Sequence, residues 1–127
     1  MYNIIFYENE HGESSVYDLI IALKEKSDTC KNARINYNKI IAYIDALEEH
    51  GSRVGYPVTK HLDGEIWELR PLSNRKLYAY QKDKSYVLLH HFVKSTNKTP
   101  PEEIEQAKRE IEDYRRRLLD NENMERS

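Results

Sequence analysis

A single cysteine, Cys30, stands among 127 residues. That excludes an intramolecular disulfide and a cysteine metal cluster, and it agrees with a reducing compartment. No apolar run approaches the ~20 residues of a membrane span, and Met1-Tyr2-Asn3-Ile4-Ile5-Phe6-Tyr7-Glu8 has neither the basic nor the apolar region of a secretory signal. The expectation is a cytoplasmic protein. Internal repeats and low-complexity segments are missing too. So are a Gly-rich phosphate loop, a Gly-x-Ser-x-Gly elbow and a paired-carboxylate motif, which argues against a nucleotide-binding enzyme, a serine hydrolase and a two-metal nuclease. Aliphatic residues are few for a globular chain: mean hydropathy is −0.87 and ten tyrosines carry much of the hydrophobic content.

What the chain does have is charge, unevenly placed. The formal net charge is −2, yet residues 58–100 hold eight basic against four acidic side chains, and the segments on either side are each net −3. The middle third is suited to meet an anion. At this length one domain, residues 1–127, is expected.

Hydrophobic period gives the elements. Residues 2–8 read as a strand ending at Asn9-Glu10-His11-Gly12. Ser15, with Asp18 in the first turn, opens a helix whose apolar stripe is Val16, Leu19, Ile20 and Leu23, running to about Ser27. From about Asn32 a second stripe, Tyr37, Ile40, Ile41, Ile44 and Leu47, continues to Gly51, a helix-closing glycine. The period then switches to that of strands, expected near 58–62, 65–70, 76–82 and 85–94, the last three antiparallel neighbours and the last the most interior. Thr99-Pro100-Pro101-Glu102 predicts a helix start with threonine as cap. The helix then reads to about Leu119, with Arg115, Arg116 and Arg117 complementing the dipole in its last turns and 120–127 frayed. The order β-α-α-β-β-β-β-α describes an α+β domain, a curved antiparallel sheet with helices packed on one face and the other face left for function.

On the strand 65–70, Trp67 and Leu69 share one side and Glu68 and Arg70 the other, so Arg70 is expected on the open face. Lys60, Arg75, Lys76, Lys94 and Lys98 fall at strand ends nearby. A guanidinium binds phosphate two-pronged and stays charged, whereas a lysine is a movable charge whose pKa neighbouring cations lower. The alternative is a solvated basic face with ordinary salt bridges to Glu65 and Glu68. Adjacent His90 and His91 project to opposite sides and cannot chelate one ion, so no metal or other cofactor is expected. One of the two packs on the core, and the other is left as a proton carrier. Cations and imidazoles suit metal-free RNA cleavage. There the substrate's own 2′-OH attacks, a base takes its proton, cations stabilise the phosphorane and an acid protonates the 5′-oxygen.

Three elements carry a family resemblance. They are Lys60-His61-Leu62-x-Gly64-x-Ile66-Trp67-Glu68-Leu69-Arg70, Leu88-Leu89-His90-His91-Phe92-Val93-Lys94-x-Thr96-x-Lys98-Thr99-Pro100, and Glu103-Ile104-x-x-Ala107. Together they resemble the HigB-like, phage-derived branch of the RelE/ParE toxin superfamily over roughly residues 56–115. The resemblance implies a RelE-like fold and the toxin of a type II toxin–antitoxin pair, a ribosome-dependent mRNA endonuclease. It also implies a cognate helix-turn-helix, HigA-like antitoxin, with operator DNA bound only by the complex. By position, Arg70 is the arginine of the Glu-Leu-Arg element, and Lys94 and Lys98 are the basic residues after the last strand. The chain departs from the pattern at Lys94-Ser95, where relatives commonly have two lysines, and at Asn74-Arg75-Lys76, where an aromatic-Arg pair is usual.

The leading assignment has Arg70 and Arg75 neutralising the scissile phosphate, and Lys60 or His61 as base or positioning group. His91, Lys94 and Lys98 supply acid or phosphate contacts, and Lys76, Tyr78 and Tyr80 contact RNA. A ParE-like gyrase inhibitor and a catalytically inactive phage-derived binding module are the alternatives.

Overall fold

The helical half of the chain gives way to the sheet at Gly51. In the computed structural model, which describes residues 1–95 and 98–126, helix α1 spans Ser15–Lys26 and α2 spans Lys31–His50. Gly51 closes α2 at φ +67°, its N–H donating to the Leu47 carbonyl. A Cβ there would lie 2.8 Å from the Tyr86 hydroxyl and 2.9 Å from the Tyr2 ring, so the turn needs glycine both for its left-handed backbone and for space. The α1 cap is Ser14, one residue ahead of the expected Ser15. Its hydroxyl accepts from the Tyr17 N–H at 3.2 Å, and Asp18 sits in the first turn as expected.

Strands β1 (Asn3–Phe6), β2 (Thr59–Asp63), β3 (Ile66–Leu69), β4 (Asn74–Gln81) and β5 (Ser85–Val93) form one open sheet in the order β1-β5-β4-β3-β2. Strands β2 to β5 pair antiparallel in sequence, as the short turns predict, and β1 joins β5 in parallel. The result is a mixed α/β chain of three helices and a curved, open five-stranded sheet compatible with a RelE-like fold. The sheet is thus not purely antiparallel, because β1 returns through the α1–α2 hairpin.

The helices do not share one face of the sheet. Val16 and Ile20 of α1 and Ile40, Ile44 and Leu47 of α2 pack with Leu69, Tyr78 and Leu88. Ala107 and Ile111 of α3 (Pro101–Arg126) pack on the other side with Ile66, Leu77, Ala79, Val87 and Leu89. Alternation along β4 feeds both cores: Leu77 and Ala79 go to one, Tyr78 to the other. Strand β5 has six consecutive buried residues because both its sides are covered. Each fully buried Leu or Ile here contributes about 1.5–3 kcal/mol.

Helix α3 continues to Arg126, past the expected end near Leu119. The three arginines are therefore mid-helix, and Arg115 and Arg117 tie the helix to the rest of the chain. Arg115 donates to both Glu65 carboxylate oxygens, to Gln81 Oε1 and to the Tyr80 carbonyl. Arg117 holds Asp113 and the carbonyls of Glu8 and Asn9, and Arg116 pairs with Asp113. Among the described residues, no helix is long and apolar enough to cross a membrane.

His90, 4% exposed, is the histidine that packs inward. Its Nδ1 lies 2.6 Å from Glu110 Oε1 and its Nε2 2.7 Å from Glu103 Oε2. Both partners are carboxylates, so both ring nitrogens carry protons and the group is an imidazolium clamped by α3. Burial opposes the charge, but the hydrogen bonds and charges of Glu110 and Glu103 outweigh it and raise the pKa. The stabilisation this provides is complete below the unfolded value of about 6.5 and is lost as pH rises through the higher folded value. Urea unfolding should show His90→Gln less stable than the parent by about 2 kcal/mol at pH 6, with the gap narrowing steadily toward pH 9; a gap independent of pH would contradict a charged His90.

Candidate functional site

Antiparallel pairing brings the starts of β2 and β4 together with the ends of β3 and β5. The register places Thr59 opposite Leu69, Leu69 opposite Lys76 and Asn74 opposite Val93. With both sheet faces covered, side chains reach solvent at this end. There Lys60, His61, Leu62, Glu68, Arg70, Lys94 and Lys98 line a depression of about 240 Å³, closed on one side by Thr99 and Ile104 at the α3 lead-in.

Glu68 lies at its centre. Its side chain is 1% exposed, and one oxygen accepts from Arg70 Nη1 at 3.3 Å, the other from the Thr99 hydroxyl at 2.6 Å. Thr99 thus bonds a buried carboxylate, a stronger acceptor contact than a neutral cap, and in doing so ties the start of α3 to β3. The Arg70 side chain is 12% exposed, its N–H donates to the Val58 carbonyl, and its guanidinium lies 5.1 Å from the Tyr56 ring centre.

The cations feel one another. Burial, then the positive charge of Arg70, lowers the pKa of Arg75, while Glu68 opposes the shift. Burial also lowers Lys94, where the carboxylate of Glu68 works against the cations Arg75, Arg70 and Lys60. The Lys94 ammonium therefore gives up its proton more readily than a solvated lysine. His61 Nε2 lies 2.7 Å from the Gly64 carbonyl, which can only accept. Nε2 therefore bears the hydrogen, and in the neutral ring Nδ1 is the proton acceptor. The ring also packs edge-on to Trp67 at 5.1 Å.

Of the predicted site residues, Lys60, His61, Arg70, Lys94 and Lys98 gather here, with Arg75 electrostatically coupled to Arg70 and Lys94. Four others do not. Lys76 and Tyr78, expected to contact RNA, are both fully buried. They share the β4 side that packs under α1 and α2, where Tyr78 meets the Thr59 hydroxyl. Tyr80 is half-exposed but belongs to the opposite end of β4, five residues or roughly 16 Å from Arg75, with its hydroxyl bonded by the Lys84 N–H. His91 lies outside the depression: it pairs with Lys76 in the register, its N–H donates to the Ser15 hydroxyl at 3.4 Å, and burial followed by the Lys76 charge lowers its pKa. Thr96 of the resemblance motif is outside the described residues. Sequence reasoning passed over Glu68 as an organising group and passed over Tyr56. Glu68 had a signal, its place two residues before Arg70 on the same strand side.

A family model described as "Phage derived protein Gp49-like (DUF891)" matches residues 30–112, which takes in α2, β2 to β5 and the first part of α3. The chain belongs to this family. Gp49-like proteins are phage-derived and of the RelE/HigB toxin type, associated with toxin–antitoxin nucleases and with an antitoxin partner in general. No curated protein matches the chain.

Lys76 supplies a test of the burial described above. Desolvation, then the charge of Arg75, lowers its pKa to about 7, and its Nζ is buried with no hydrogen-bond partner among the described residues. Below pH 7 the folded protein buries an unpaired cation. Above it the amine is neutral when folded while the unfolded chain stays protonated up to about 10.4, so this cost falls as pH rises. Lys76→Met should therefore stabilise the Gp49-like chain by about 1–4 kcal/mol at pH 6 and by little at pH 10, measured by denaturant unfolding.

Proposed function

We propose that this Gp49-like protein is the toxin of a type II toxin–antitoxin pair and acts as a metal-independent, ribosome-dependent mRNA endonuclease. The observation that carries the reading is the depression itself: Arg70, Lys60, Lys94 and Lys98 line it around one buried carboxylate, with His61 at its margin against Trp67 and Arg75 electrostatically coupled to Arg70. Four such cations match a phosphodiester whose charge grows as a fifth oxygen bonds to phosphorus.

In this reading His61 Nδ1 takes the proton of the 2′-OH. The 2′-oxygen bonds to phosphorus, the bond to the 5′-oxygen breaks, and Lys94, its pKa lowered by burial and by its neighbours, donates a proton to the leaving oxygen. Products are a 2′,3′-cyclic phosphate and a 5′-hydroxyl. Arg70 and Arg75 hold the non-bridging oxygens, Lys60 positions the strand, and Lys98 meets a flanking phosphate. Glu68 touches no RNA; it aims Arg70.

The size of the depression supports dependence on the ribosome. About 240 Å³ is less than ligand sites usually offer, too little to enclose and align a nucleotide. In-line alignment of the 2′-oxygen must then come from whatever holds the message, as the ribosomal decoding site does. The excess acid of the flanking segments lies outside this lip, and salt screens it from rRNA phosphates. A helix-turn-helix, HigA-like antitoxin would neutralise the toxin, and the complex would bind operator DNA.

Purified protein on programmed ribosomes should cut the message in the decoding site, leaving naked message intact. Arg70→Ala should lower the single-turnover rate about 10²–10³-fold. Equal cleavage by the variant sinks the assignment.

A further inference from the structure

The depression provides for a phosphate and not for a base, yet one large aromatic ring stands at its edge. Tyr56 is 74% exposed, among the most exposed of the large hydrophobic side chains. Its ring is not unconstrained: the Arg70 guanidinium lies 5.1 Å from the ring centre. Arg70 in turn is fixed by Glu68, at 1% side-chain exposure, and by its backbone bond to Val58. A pinned cation thus occupies one side of the ring, and the exposure leaves the rest of the tyrosine in solvent.

We propose that Tyr56 is the stacking platform for the nucleobase next to the scissile phosphate, forming a layered arrangement of Arg70, Tyr56 and base. The inference rests on the ribonuclease reading and adds to it the group that grips the substrate by its base. A guanidinium against a tyrosine ring is a favourable pair, and a base stacks on such a ring whatever its sequence. Because the same guanidinium is aimed at the phosphate, the platform and the phosphate grip are held at one fixed spacing. The aromatic residues named from sequence cannot do this, since Tyr78 is buried and Tyr80 sits at the far end of β4.

The test uses the full chain on programmed ribosomes whose message carries an abasic nucleotide at each position of the decoding-site codon in turn. Tyr56→Ala should cleave intact message about tenfold or more slowly than the parent, and Tyr56→Phe should retain the rate. One abasic position should slow the parent by a similar factor and leave Tyr56→Ala unaffected, because the stacked pair is already lost. Melting temperatures of both variants should match the parent, as the side chain is exposed. If Tyr56→Ala cuts intact message as fast as the parent, or the abasic substitution slows both proteins equally, the platform is overturned while the nuclease reading stands. If the parent cuts no message at all, both fall.

Discussion

The Glu68 carboxylate sets both the shape and the charge of the site. Taking a carboxylate out of water costs several kcal/mol, and that cost is offset only where geometry and hydrogen bonds are good. Glu68 satisfies the condition with two partners from different parts of the chain, the Arg70 guanidinium from the end of its own strand and the Thr99 hydroxyl from the lead-in to α3. One group therefore decides where the guanidinium points and where the last helix begins. Removing it would leave Arg70 beside Arg75, Lys60 and Lys94 with no anion among them, while the α3 lead-in would lose its tie to the sheet.

Covering both sheet faces has a further consequence. A one-sided α+β arrangement would offer a broad face to a ligand, whereas here the α1–α2 hairpin takes one face and α3 the other, held by the His90 clamp and the Arg115 and Arg117 anchors. Functional side chains then emerge where strands end and along the edge strand β2. Antiparallel pairing makes that productive, since it delivers two strand starts and two strand ends to one rim, and basic residues placed near those termini meet without any single strand carrying more than a few. The chemistry follows from crowding: cations near one another and partly withdrawn from water hold protons less firmly, as Lys94 does.

How much of this could be read from the sequence depends on which rule each residue obeyed. Helix stripes, the glycine stop at Gly51 and the turn at 82–84 are local signals, and α1, α2 and the last two strands follow them closely. Arg70, Lys60, Lys94 and Lys98 were legible because residues at strand ends meet whatever the sheet packs against. Lys76 and Tyr78 were misplaced for the opposite reason: period two tells which residues share a side, but not whether that side is open, and here neither is. His91 shares the fate of Lys76, its partner in the register. The extent of α3 was hidden because its second half is stabilised by long-range anchors to Glu8, Glu65 and Gln81 that a local reading of Arg115 to Arg117 converts into a dipole effect. Tyr56 carries no sequence signal at all, since only the fold brings it against Arg70.

The mutual repulsion of the rim cations is itself part of the argument for a polyanionic ligand. Like charges gathered at a partly desolvated rim weaken the fold, and among the described residues that line the depression Glu68 is the acid set against them. Acidic residues are not scarce here, numbering 22, but they lie in the first 57 and last 27 residues far more than at the rim. A bound phosphodiester strand would relieve repulsion that the folded chain otherwise carries. Functional sites are where such departures from best stability gather, and the contrast within the chain is with Arg115, Arg116, Arg117 and Lys108, which each have a carboxylate within hydrogen-bond reach.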